Sequence, residues 1–211
     1  MAYVSTPEDL ALHGVRVLGF PTTSRLADRY GLDVDTVDEL LLDFEAGGWV
    51  RHLSFAGSSG WSLTDAGRVE NERRLGAELE RVGARGTVTS AHAAFVPLNR
   101  RFGAACTNWQ VRPTRADPMA FNDHSDRRWD ERVLQALTSV EASFRHLCHQ
   151  LAARLTRFDG YAARFSAALA KVEKGKRAWL DAPDQDSCHI LWIQFHEDLL
   201  ATLGIPRGSD A

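Results

Sequence analysis

Apolar residues recur along this chain at the helical spacing, in blocks separated by glycine, proline and capping residues. Thr6-Pro7-Glu8-Asp9 predicts a helix start, and the helix runs to about Leu18 before Gly19 and Pro21 stop it. Thr22 or Thr23 caps a short second helix, Leu26 and Tyr30 face inward one turn apart, and Gly31 ends it. Asp33 caps a third, in which Val37, Leu40, Leu41 and Phe44 fall at i, i+3, i+4, i+7 before Gly47-Gly48. Two short extended segments follow, 49–55 and 60–63, around the small-residue turn AGSSG. Thr64-Asp65 then caps a long fourth helix with Leu75, Leu79 and Val82 on one face; this ridge, or a face of the helical bundle that follows, is the candidate dimer seam.

Beyond residue 85 the pattern is helical throughout. Residues 87–110 read as helix on both sides of Pro97, which predicts a kink or a restart. Residues 112–125 form a polar, proline-punctuated loop. Asp126 to about Phe158 reads as one long amphipathic helix striped by Val133, Leu137, Val140, Phe144, Leu147 and Leu151. Gly160 breaks it, Tyr161–Val172 is another helix, and the last runs from Asp186 or Ser187 to Gly204. The expected fold class is mainly α. Residues 1–85 form a winged helix-turn-helix domain (helices plus a two-stranded wing) with its connecting helix. Residues 86–211 form a helical bundle for ligand binding or dimerisation.

The run LADRYGLDVDTVDELLLDFEAGGWVRHL, continued by GWSLTDAGR, resembles the winged helix-turn-helix domains of bacterial transcriptional regulators in the MarR-like style. The matched features are an apolar-Gly-Leu turn, a third helix closed by glycine before the first wing strand, and a second strand entering a helix through SLTDAGR. The resemblance covers about 80 residues and implies a transcriptional regulator, or a descendant of one, that binds DNA as a homodimer. It places Arg25, Arg29, Asp35, Thr36, Glu39, Arg51 and His52 at the DNA. No family resemblance extends to residues 87–211.

Charge complicates that implication. Residues 1–85 hold nine Lys and Arg against fourteen Asp and Glu, although the whole chain is only at −3. From Asp33 to Gly47 there are six acids and no base, and each added carboxylate repels phosphate. The alternative reading is therefore a winged-helix module for protein contacts, joined to a helical domain that binds a small molecule or assists an enzyme.

Other chemistry is sparse. Asn99, Trp109, Asp123, His124, Trp192 and His196 are polar or aromatic residues on or beside apolar helices, and they are the candidate lining of a small-molecule effector pocket. His146 and His149 lie three apart and His189 and His196 seven apart, each pair on one helical face. The four imidazoles, or three of them with Glu197 or Asp198, form the candidate site for a divalent metal such as zinc, the one cofactor the sequence allows. No nucleophile elbow, phosphate loop or HExxH motif is present, so no enzymatic activity is expected. Cys106, Cys148 and Cys188 are odd in number and widely spaced, which predicts reduced, buried thiols. The first residues lack a signal-peptide layout and no run is apolar enough for a membrane span, so a cytoplasmic protein is expected.

Overall fold

A computed structural model describes residues 1–55 and 57–209. The chain is mainly helical with one small antiparallel sheet. In order it forms α1 (Pro7–Leu18), α2 (Thr23–Tyr30), α3 (Val34–Ala46), β1 (Val50–Phe55), β2 (Ser58–Leu63), α4 (Asp65–Val82), α5 (Arg85–Gln110), α6 (Arg127–Ala152), α7 (Tyr161–Glu173) and α8 (Cys188–Leu203). Two compact units divide it. The first comprises Met1–Thr89, Ala152–Arg157 and Gln194–Asp210, and the second Ser90–Leu151 and Phe158–Ile193. The first unit thus takes in more than a boundary at residue 85 assigns to it, since a short connector and most of α8 belong to it as well.

In the first unit, caps set the helix starts. The Thr6, Thr22, Asp33 and Thr64 side chains each accept from a backbone N–H three residues on, satisfying donors that the first turn cannot. Gly31 ends α2 with φ +65°, in the left-handed region. Ala11, Leu12 and Val15 of α1, Leu26 and Ala27 of α2, and Val37, Leu41 and Phe44 of α3 meet Val50 and Trp61 of the hairpin in one apolar core. β1 and β2 pair in register from Val50 opposite Leu63 to Phe55 opposite Ser58. Trp61 donates from its indole N–H to the Thr23 hydroxyl at 3.1 Å, fixing the hairpin to α2. Gly67 is required where α4 meets the hairpin, because a Cβ there would lie 1.9 Å from the Trp49 carbonyl oxygen. On α4, Leu75 and Leu79 are buried within a single chain and Val82 is half-buried, so two of the three residues of that candidate seam are already covered.

The second unit keeps α5 unbroken through Pro97. Its core is aromatic. Trp192 packs against Phe95, Phe102, Phe144 and Phe165 at centroid distances of 4.3–5.9 Å. The 112–125 segment ties itself down locally, through a bridge between Val111 and Phe121 and an Arg112–Asp126 ion pair of 3.3 Å.

α6 stops at Ala152, six residues short of the end its apolar stripe predicts. Within the first unit, Leu155 forms a parallel bridge with Tyr3, with the Tyr3 N–H donating to the Arg154 carbonyl at 2.9 Å and the Thr156 N–H to the Tyr3 carbonyl at 2.9 Å. Leaving the helix here places Arg157 in a buried polar cluster with Glu78 and Asp198. Among the described residues no helix is long and apolar enough to cross a membrane.

Candidate functional site

Helix order, the two-stranded hairpin and the capped third helix define the first unit as a winged helix, in which α3 is the element that reads a groove in DNA-binding members of the class. Val37, Leu41 and Phe44 anchor α3 in the core, so its opposite face is fixed outward. On that face Asp35, Asp38, Glu39 and Leu42 follow at i, i+3, i+4, i+7, with Asp43 and Glu45 beyond, and all are exposed. Val34 and Leu42 are 44% and 53% exposed among these carboxylates. The Thr36 backbone N–H donates to Asp33 and holds its carboxyl below the usual range, so the cap adds a further negative charge at the start of the helix.

The adjoining strand continues the pattern. Glu45 accepts from the His52 backbone N–H at 2.9 Å, joining α3 to β1. Every β1 residue after Val50 is exposed, including Leu53 at 47% and Phe55 at 81%. α3 and the wing together present carboxylates interspersed with bare apolar side chains.

The cations of the same unit are largely engaged elsewhere. Arg16 pairs with Glu197 and Glu72 at 2.8 and 2.9 Å, and Arg74 with Glu70 and Asp9 at 2.7 and 3.1 Å. Arg73 also holds Glu70, and this bond, reinforced by Arg74 against the effect of burial, brings the Glu70 carboxyl down to about 2. Arg29 donates to the Arg157 carbonyl at 3.2 Å and stacks over Tyr30. Of the residues the winged-helix resemblance places at DNA, Asp35, Thr36, Glu39 and Arg51 are exposed and Arg25 is half-buried. Thr36 is turned back onto Asp33, its hydroxyl bonding the cap at 3.0 Å. His52 lies edge-on to Trp61 at 4.9 Å.

Beneath α1, the first unit encloses a polar cluster that the sequence reading missed. Arg157 donates from Nε to Glu78 at 3.0 Å and from Nη2 to Thr202 at 2.8 Å, and pairs with Asp198 through Nη1. His13 Nε2 lies 3.0 Å from the same Asp198 oxygen, and Nδ1 is 3.4 Å from the Asn71 amide oxygen. The Ser5 hydroxyl completes the set on Glu78. Burial would raise the Asp198 carboxyl, but Arg157 first and His13 next outweigh it and hold it at about 2. Arg157 pairs with both carboxylates, Glu78 and Asp198, and Arg29 adds a weaker favourable charge on Asp198. The available signal was His13 inside the apolar run LALHGVRV and Asp198 inside an otherwise apolar helix. Neither residue reveals its partner, because Arg157 arrives from about 40 residues before Asp198 and 140 after His13.

The residues expected to line an effector pocket have the following local partners. Asn99 and Trp192 do meet, with the indole N–H donating to the Asn99 oxygen at 2.8 Å inside the aromatic core. Trp109 and His124 form a separate pair at 4.6 Å. There His124 Nδ1 sits 3.0 Å from Asp130, and Asn122 donates to the Trp109 carbonyl at 3.0 Å. Asp123 faces Ser125, whose hydroxyl lowers its carboxyl. His196 belongs to the first unit, apart from the other five. Within the second unit, Asn99 with Trp192, Trp109 with His124, and Asp123 with Ser125 are thus separate local contacts.

The expected metal ligands are likewise dispersed. Among the described residues no three His, Cys, Asp or Glu side chains gather as a metal site. His146 is hydrogen-bonded to Gln150 at 2.9 Å, His149 is exposed, and His189 stacks on Phe102 at 6.3 Å. All three cysteines are free, and burial, with Asp181 beside Cys106, pushes the Cys106 and Cys188 thiols up to about 12.

No family model matches this chain, and no curated protein or solved structure is significantly similar to it.

Proposed function

We propose that the winged-helix unit is a protein-docking module descended from a MarR-like DNA-binding domain, and that α3 and the wing accept a cationic, amphipathic segment of a partner protein. One observation carries this reading: the face of α3 that would enter a DNA groove exposes Asp35, Asp38, Glu39, Asp43 and Glu45 with Val34 and Leu42 among them, and no base. Phosphate neutralisation supplies most of the affinity of a DNA-binding domain, and this face opposes it. Lysine or arginine side chains on a partner would match the carboxylates, while exposed Leu42, Leu53 and Phe55 offer the apolar contact that gives an interface its core. Arg29, one of the cations a DNA-binding role would use, is engaged with Arg157 instead.

Fluorescence anisotropy of the full chain tests this with two labelled probes, an amphipathic Leu/Lys helical peptide and a mixed-sequence DNA duplex. The peptide is expected to bind in the micromolar range and to lose at least about tenfold with Asp38→Lys/Glu39→Lys or with Leu42→Ala. A duplex that binds as tightly as the peptide, with Arg51→Ala weakening it, would establish the regulator reading in its place.

A further inference from the structure

The second unit contains a groove that none of the expected pocket residues lines. On α5, Arg101, Ala104, Ala105 and Asn108 follow at i, i+3, i+4, i+7, and on α6 Trp129, Arg132, Val133, Ala136 and Val140 form the facing stripe. Alanines at 104, 105 and 136 leave the space between the two helices unfilled, at about 450 Å³. That volume lies within the range of small-molecule sites, ~300–1,000 Å³. The floor is apolar, because only alkyl side chains line its middle.

Its ends are polar and defined. Trp129 donates from its indole N–H to the Asn108 carbonyl at 2.6 Å, bridging α6 to α5 and walling off one end. Arg132 lies over the Trp129 ring at 5.3 Å. Toward the other end, Arg101 reaches the Ser139 hydroxyl at 2.9 Å. Seven residues of α6 separate Arg132 from Ser139, about 10 Å at the helical rise.

Neither guanidinium meets a carboxylate among the described contacts, since the partner of one is a hydroxyl and that of the other an aromatic face. Arg145, on the same helix, pairs with Glu141 at 2.8 Å. Two uncompensated cations beside an apolar trough attract an anion that brings an apolar body with it. A closed end suits a short molecule better than a through-running helix.

We propose that this groove binds a small amphiphilic carboxylate, its alkyl or aromatic body on Ala104, Ala105, Val133 and Ala136 and its anionic head on Arg132 or Arg101. This site is independent of the docking face on α3.

Calorimetric titration of the full chain with octanoate, and with octanamide as its neutral counterpart, tests the proposal. Octanoate is expected to bind and octanamide to bind at least about tenfold more weakly. Arg132→Gln and Arg101→Gln, both at exposed positions, should together abolish that preference, and Ala136→Phe should block both ligands by filling the trough. Circular dichroism confirms that each variant folds. Equal affinity for the two ligands, no binding of octanoate up to about 10 mM, or binding that survives Ala136→Phe would overturn the proposal. So would a dimer in sedimentation that Ala136→Phe dissolves, since a second copy would then be the occupant.

Discussion

Replacing Arg157 with methionine tests the buried cluster of the winged-helix unit most severely. The substitution keeps the volume of the alkyl stem and removes the guanidinium, leaving Glu78 without its ion-pair partner and Asp198 with only the weaker help of His13 and Arg29. Both carboxylates are almost fully buried, so they cannot recover hydration without opening the unit. Breaking a buried ion pair from one side costs about 3–5 kcal/mol. For a chain of this size that is roughly 6–20 °C in Tm. The pH dependence carries the sharper signature. In the native chain the folded value of Asp198, about 2, lies below its ordinary value of 3.8. The ionised carboxyl therefore contributes stability at every pH above about 4, and this is lost as the pH falls through 2. The depression corresponds to about 2 kcal/mol. In Arg157→Met the sign reverses, because protonating an under-compensated buried carboxylate relieves it, so the variant should gain stability relative to native on going from pH 7 to pH 4. Asp198→Asn in the same background should recover part of the loss, giving a double-variant effect smaller than the sum. Urea denaturation at pH 7 and pH 4 measures both quantities. A loss below about 1 kcal/mol, or a variant whose deficit grows toward pH 4, would refute the reasoning.

Three further outcomes follow from single contacts. Gly67→Ala should cost at least about 2 kcal/mol in urea denaturation, because its Cβ would meet the Trp49 carbonyl at 1.9 Å, whereas Gly76→Ala on the same helix, with open space around it, should be neutral or slightly stabilising. Asn99→Ala removes the acceptor from the Trp192 indole inside the aromatic core; about 1–3 kcal/mol should be lost by the same measure, and a neutral result would mean that the indole finds water. Cys106 and Cys188, with thiols pushed up to about 12, should resist iodoacetamide at pH 8 in the folded chain and react fully in denaturant, as read by intact mass.

What was legible in the sequence was whatever depends on near neighbours. Thr6-Pro7, Thr22, Asp33 and Thr64 announced four helix starts, and Val37, Leu41 and Phe44 announced the inward face of α3, because caps and helical periodicity act within a few residues. The acidity of α3 shows directly as six carboxylates and no base from Asp33 to Gly47. What the sequence concealed depends on residues that meet across long separations. The α6 stripe gives no sign of stopping at Ala152, since its end is set by the bridge from Leu155 to Tyr3 and by the burial of Arg157. Arg29 reads as a surface cation until the carbonyl of Arg157 is seen to receive it. The sequence shows Asn99 and Trp192 as polar groups on apolar helices, but not that the Trp192 indole donates to the Asn99 oxygen 93 residues away. The α5–α6 groove went unnoticed because alanines mark it by the side chains they lack.

The claim that α3 and the wing receive a cationic protein segment is tested most directly by mapping amide chemical shifts on ¹⁵N-labelled protein during titration with the Leu/Lys peptide. Shifts should concentrate on Asp35 to Glu45 and on Arg51 to Phe55, and vanish in Asp38→Lys/Glu39→Lys. The claim is contradicted if the peptide perturbs other surfaces instead, or if the duplex moves these same amides and the peptide does not.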